Sequence, residues 1–137
     1  VIALPRSHRT ADDPNLSIAD LTDEKFIFWP VEQGRGFHLT VVRLCADAGV
    51  VPDMVQEVHG MHRVLSLVAT ETGVSIVPAS MSGFRSDRIC HRPISDKGAD
   101  FSLALCYRTP IETPALHELV TTAVEGMPRC NGGRSGR

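Results

Sequence analysis

No stretch of the 137 residues approaches the ~18–20 consecutive apolar residues that a membrane-spanning helix requires. Charge of one sign is lacking too. Fourteen Lys and Arg stand against sixteen Asp and Glu, for a formal net charge of -2, so nothing attracts the chain as a whole to nucleic-acid phosphates. Any DNA binding must then come from a segment outside this sequence. The four cysteines, Cys45, Cys90, Cys106 and Cys130, form no CxxC pair and show no zinc-type spacing. Cys45 and Cys106 lie among aliphatic residues, where a free thiol behaves as a small hydrophobe. A reducing, cytoplasmic setting is expected. No basic segment leads into an apolar run with a cleavage site, so no secretory leader is visible. Val1 rather than Met stands first, followed by Ile2-Ala3-Leu4, and the chain is expected to be cut from something longer.

Catalytic signatures are equally scarce. His117-Glu118 begins a zinc-protease HExxH, but position 121 is Thr121, so the second ligand is missing. There is no GxSxG elbow, and neither Ser80 nor Ser82 has an identifiable base. Gly34-Arg35-Gly36 lacks the third glycine of a dinucleotide fingerprint. Cys90 and His91 are neighbours on a strand, where side chains point to opposite faces. Arg85, Arg88 and Arg92 make a local basic patch that reads as a solvated face. The expectation is of no enzyme, no metal and no cofactor.

What is present is an ordinary globular composition, 42% hydrophobic and 22% charged, with length for one core. Strand and helix patterns alternate. Val1 to Leu4 and Lys25 to Trp29 read as buried strands, the second ended by Pro30. Ser17 caps a short helix with Asp20 at its third position. Phe37, Val41, Leu44, Cys45 and Ala48 fall on one helical face, and Gly49 supplies the stop. Asp53 to His59 alternates as a strand, with Met54, Gln56 and Val58 on one face. Met61, Val64, Leu65 and Val68 mark a second helix, expected to end at Gly73. Val74 to Val77 has parallel-strand composition, and Ile89 to Ile94 reads as an edge strand. Phe101 to Tyr107 alternates as a strong strand. Thr113 and Pro114 open a last helix whose stripe is Leu116, Leu119, Val120, Ala123 and Val124. The Gly/Arg-rich tail, residues 128–137, is expected to be disordered. The fold class is therefore α/β, with ligands expected where strands run into helices, at Pro30 to Gly36 and His59-Gly60.

The order of motifs resembles the effector-binding domain of LysR-type transcriptional regulators. Ala3 to His8, Ile18 to Leu21 and Phe26 to Pro30 are similar to the middle of such domains. Cys45 to Pro52 matches the family's helix-Ala-Gly-x-x-Pro corner. Leu67 to Ser80 resembles its LVAxGxGxxxxP stretch, and a strand, Thr-Pro and a helix close the segment. The resemblance covers residues 1–127. It implies the second subdomain of a type II periplasmic-binding-protein-like fold, a mixed and mostly parallel sheet with flanking helices. It also implies two hinge strands (Val1 to Pro5 and Phe101 to Tyr107) and a returning helix. The DNA-binding head and first subdomain are absent, so the last helix loses part of its partner. Details lean towards the branch that senses intermediates of aromatic degradation.

By this resemblance a small effector, expected to be the anion of an aromatic or dicarboxylic acid, lies against the loop Pro30-Val31-Glu32-Gln33-Gly34-Arg35-Gly36 and Phe37. Free N–H groups at the helix start favour a carboxylate, the glycines let backbone approach it, and Arg35 adds charge. The competing reading is that the glycines only shape a tight turn and Phe37 is core. His59 borders the same edge, as an effector contact or as a solvated loop histidine. Self-association is expected through the sheet edge and the helix Phe37 to Ala48. A different class, a solute-binding lobe serving transport, would share this architecture. A small α/β enzyme is the third reading.

Overall fold

The computed structural model describes residues 1–85, 87–101 and 104–126. The chain forms two units, Val1–Phe101 and Ser102–Arg137. At the centre of the first lies β1 (Ile2–Pro5), all four residues buried. It pairs antiparallel with β4 (Ser75–Ile76) on one side and β5 (Ile89–Arg92) on the other. A parallel pair, β2 (Lys25–Phe28) and β3 (Asp53–Glu57), joins this sheet through a bridge between Phe26 and Val74. There the Ile27 N–H donates to the Val74 carbonyl at 2.9 Å and the Val74 N–H to the Lys25 carbonyl at 2.8 Å. The sheet is thus parallel on one side and antiparallel on the other. The Val74 to Val77 segment lies on the boundary, parallel to β2 and antiparallel to β1.

Alternation of side chains sorts the core into two layers. Ile2, Leu4, Phe26, Phe28 and Ile76 pack with Val41, Leu44 and Cys45 of α1 (Arg35–Asp47). Ala3, Ile27, Val77 and Ile89 pack instead with Met61, Val64, Leu65 and Val68 of α2 (Met61–Ala69). One helix therefore covers each face, which is why β1 can be apolar at every position. Asp53–Glu57 is exposed throughout, as expected of an edge strand. The Ser17 capping box forms on a 3-10 turn, Ile18–Leu21, with Ser17 N–H donating to Asp20 Oδ2 at 2.9 Å.

Two expectations are corrected. Helix α2 ends at Ala69, not at Gly73; its left-handed turn residue is Glu71, at φ 62. Gly73 serves close approach instead, since a Cβ there would strike the Lys25 carbonyl oxygen. The second correction concerns Phe101 to Tyr107. Residues 102–103 lie outside the described residues, and the others in that stretch are not in a strand. Alternation supplies a face, but a strand also needs a hydrogen-bonding neighbour.

In the second unit α3 (Pro114–Gly126) starts as anticipated. Thr113 Oγ1 accepts the Leu116 N–H at 3.4 Å, and its carbonyl accepts the His117 N–H at 3.1 Å. None of its residues is buried, and Leu119 and Val124 are exposed. The expected disordered tail, 128–137, lies outside the described residues.

Candidate functional site

Because β2 and β3 are parallel, their carboxyl ends share one edge of the sheet, and each runs into a helix there. Glycine precedes both helices: Gly34 before α1 and Gly60, at φ 90, before α2. Neither helix has a side-chain cap. After Pro30 a 3-10 turn, Val31–Gln33, closes with Gln33 N–H to the Pro30 carbonyl (3.1 Å) and Gly34 N–H to the Val31 carbonyl (3.3 Å). The first bond of α1 is from His38 N–H to the Gly34 carbonyl at 2.9 Å. The N–H groups of Arg35, Gly36 and Phe37 come before it. In α2 the N–H groups of Arg63 and Val64 both reach the Gly60 carbonyl, at 2.9 and 3.2 Å, with Met61 and His62 ahead of them. Two helix starts, each with partial positive charge, thus lie at one edge.

A cleft of about 290 Å³ opens at that edge. Its apolar surface comes from Trp29, Phe37, Met61, Pro78 and Phe101, and its loop wall from Gln33, Gly34, Arg35 and Gly36. Phe37 and Phe101 meet edge to face, their ring centres 5.4 Å apart and planes at 86°. Arg35 is exposed and makes none of the ion pairs found among the described residues. Trp29 is anchored through its carbonyl, which accepts Nδ1–H of His38 at 2.9 Å. Its indole Nε1 is buried without a hydrogen-bond partner.

Of the residues singled out from sequence, Arg35, Gly36 and Phe37 line this cleft together. Pro30 is buried at the base of the turn and Val31 is half-buried within it; neither is in the cleft wall. His59 is exposed at the same edge, outside the lining. Trp29, Met61, Pro78 and Phe101 were not anticipated. Trp29 read as the end of a strand, Met61 as helix core and Phe101 as part of a strand; only the fold brings them to one place.

A second cavity, of about 340 Å³, is lined by Pro5, Ser7, His8, Arg9, Glu24, Glu71, Gly73 and Val74. It lies at the end of β1 and the start of β2, away from the helix starts. Its polar groups serve one another: His8 Nε2 and Arg9 Nη2 each lie 3.1 Å from Glu24, and Ser7 donates to Glu71 at 2.6 Å. The first cleft is the one that leaves a cation and several N–H donors available.

The profile of the LysR substrate binding domain matches residues 1–128. The chain belongs to this family. It is 27% identical over 124 residues to the HTH-type transcriptional regulator BenM of Acinetobacter baylyi, covering 89% of this chain and 41% of that protein. The fold is similar to that of the BenM effector binding domain solved with its effector benzoate. There the TM-score is 0.69 at 24% identity, over 99% of this chain and 64% of that one. It is also similar to the effector binding domain of QuiR in complex with shikimate, with TM-score 0.60 at 21% identity over 69% and 44% of the two chains. The type II periplasmic-binding-protein-like lobe expected from the resemblance is the fold observed. The chain spans about two-fifths of the length of BenM. Its family is one of transcriptional regulators and not of enzymes. Among the described residues no helix is long and apolar enough to cross a membrane.

Proposed function

We propose that this chain is the effector-sensing lobe of a LysR-type transcriptional regulator, and that its cleft takes a small ring-bearing carboxylate. The observation that carries this reading is the pair of glycine-led, uncapped helix starts of α1 and α2 beside the Phe37–Phe101 pair. A helix start stabilises an anion by about 0.3–1 kcal/mol at an exposed site and up to ~2 kcal/mol when partly buried. Arg35 adds a full charge in reach of the same edge. An edge-to-face aromatic pair with Met61 and Pro78 offers an apolar wall to a ring. Benzoate and shikimate, the ligands named for the BenM and QuiR domains, are both six-membered-ring carboxylates, which supports the same chemistry here.

In this reading Arg35, Gly36 and Phe37 contact the effector. Pro30 and Val31 shape the turn that presents them, and His59 contributes from the rim. Binding in the full-length regulator shifts the angle between two lobes and so the spacing of paired DNA-binding heads, a role set in the cytoplasm. Self-association uses the open edge of β3 and the outer face of α1, where Val51, Met54, Val55, Leu39 and Val42 are exposed. The test is calorimetric titration of the chain with benzoate and with shikimate, beside Arg35→Ala and Phe37→Ala. Binding weakened by both substitutions supports the reading. Binding indifferent to both argues against this cleft.

A further inference from the structure

The apolar side chains of the cleft reach it by different routes. Trp29 follows directly on β2, Phe37 and Met61 belong to the first turns of α1 and α2, and Pro78 lies just past β4. Phe101 alone arrives on the irregular segment that follows β5. That segment is fastened to the lobe at successive points. The Ile18 N–H donates to Asp96 Oδ2 at 2.8 Å, and Arg43 of α1 donates from Nη2 to the Gly98 carbonyl at 3.1 Å. Gly98, at φ 80, turns the chain, and Ala99 packs against the core layer beneath α1. Phe101 then sets its ring against Phe37.

Phe101 is 40% exposed and lines the cleft, so a ligand can reach its ring. Its Cε2 lies 3.8 Å from the place a Cβ on Gly36 would take, which sets the ring beside the first turn of α1. A carboxylate at the N–H groups of that turn and a ring against Phe101 can therefore belong to one small molecule. Phe101 and Phe37 stand at 86° with ring centres 5.4 Å apart, and perpendicular rings leave a corner. A third aromatic ring in that corner lies parallel to one and points its edge at the other, both arrangements that ring quadrupoles favour. A saturated ring has no such quadrupole and gains only from buried area. Ring hydroxyls fare worse. Gln33 and Arg35 are the exposed polar side chains of the wall, and among the described residues no hydroxyl side chain lines it. A hydroxyl taken from water against Phe37, Phe101, Met61 and Pro78 loses hydrogen bonds that these side chains do not replace.

We propose that Phe101 is a specificity-determining residue of the cleft, and that the effector it selects is an aromatic carboxylate rather than a saturated or polyhydroxylated ring acid. This rests on the reading of the cleft as the effector site and narrows it. The helix starts and Arg35 hold the carboxylate, which all these acids share. The corner between Phe37 and Phe101 tells their rings apart.

The experiment is calorimetric titration of the chain with benzoate, cyclohexanecarboxylate and shikimate, repeated on two variants. Phe101→Leu keeps apolar bulk without the ring, and Phe101→Tyr keeps the ring; circular dichroism checks that each is folded. Ratios of affinity within each protein are compared, so a uniform change in binding cancels. The native chain is expected to bind benzoate about fivefold tighter than cyclohexanecarboxylate, and about tenfold or more tighter than shikimate. Phe101→Leu should bring the ratio of benzoate to cyclohexanecarboxylate close to unity, and Phe101→Tyr should retain it. Equal binding of these two acids to the native chain overturns Phe101 as the selector and leaves the carboxylate cleft standing. A preference that persists in Phe101→Leu, or is lost in Phe101→Tyr as well, does the same. Shikimate binding as tightly as benzoate overturns the aromatic class. Failure of all three acids to bind overturns the cleft reading and this proposal with it.

Discussion

Gly73 and Lys25 touch backbone to backbone: any Cβ on Gly73 would collide with the Lys25 carbonyl oxygen, and would lie 3.1 Å from its carbonyl carbon. That carbonyl accepts the Val74 N–H, one of the bonds that tie β2 to the rest of the sheet. Gly73→Ala must push the two segments apart. The expected loss is about 1–3 kcal/mol of stability, read from urea unfolding, with a lowered midpoint and unchanged slope. A midpoint equal to that of the native chain would show that the sheet tolerates the displacement.

Glu71 presents the opposite case. It holds a left-handed conformation, φ 62, where the family stretch LVAxGxG carries glycine. Its carboxylate accepts the Ser7 hydroxyl at 2.6 Å, but the residue is exposed, so that bond contributes little. Glu71→Gly relieves the Cβ crowding and is expected to raise stability by about 1 kcal/mol. Ser7→Ala, which removes only the bond, should change stability by less than about 0.5 kcal/mol.

Much of the architecture is legible in the sequence, and the places where it is not share one cause. The buried faces of α1 and α2, the Ser17 capping box and the Thr113 helix start follow from local periodicity and capping chemistry, which neighbours in sequence carry. The role of Gly73 does not, because its constraint comes from Lys25, forty-eight positions earlier. Phe101 shows the same limit. Its alternating neighbours pointed to a strand, yet its contact is the ring of Phe37 in a cleft wall. That Arg35, Gly36 and Phe37 line the cleft follows from a local signal, a glycine-bordered strand-to-helix turn. The place of Trp29 in the same wall does not, since an aromatic residue at a strand end carries no local mark of where the fold will put it.

His91 makes stability depend on pH. Burial pushes its pKa below the ordinary 6.5, and its Nε2 has no partner. Below pH 6.5 the unfolded chain takes up a proton at this site while the folded chain resists it. Stability is therefore complete above that value and falls as pH drops through 6.5 towards the depressed folded value. His91→Phe should flatten this part of the stability curve between pH 7 and pH 5. A slope that persists in the variant would assign it to other groups.

The cysteines should separate by reactivity. Cys45 is buried in the layer beneath α1, and burial pushes its thiol up to about 11. Cys106 is exposed. Alkylation of the folded protein at pH 8, read by peptide mass spectrometry, should modify Cys106 readily and leave Cys45 untouched until denaturant is added. Equal labelling of the two would mean that α1 does not stay docked on the sheet.

The most direct test of the effector cleft is the backbone amide spectrum of the isotope-labelled chain during titration with benzoate. The account predicts saturable shifts at Arg35, Gly36, Phe37, Met61 and His62, the N–H groups that open α1 and α2, together with the Trp29 indole. Shifts gathered instead around Ser7, Arg9 and Glu71, or none at the helix starts at millimolar ligand, would contradict it.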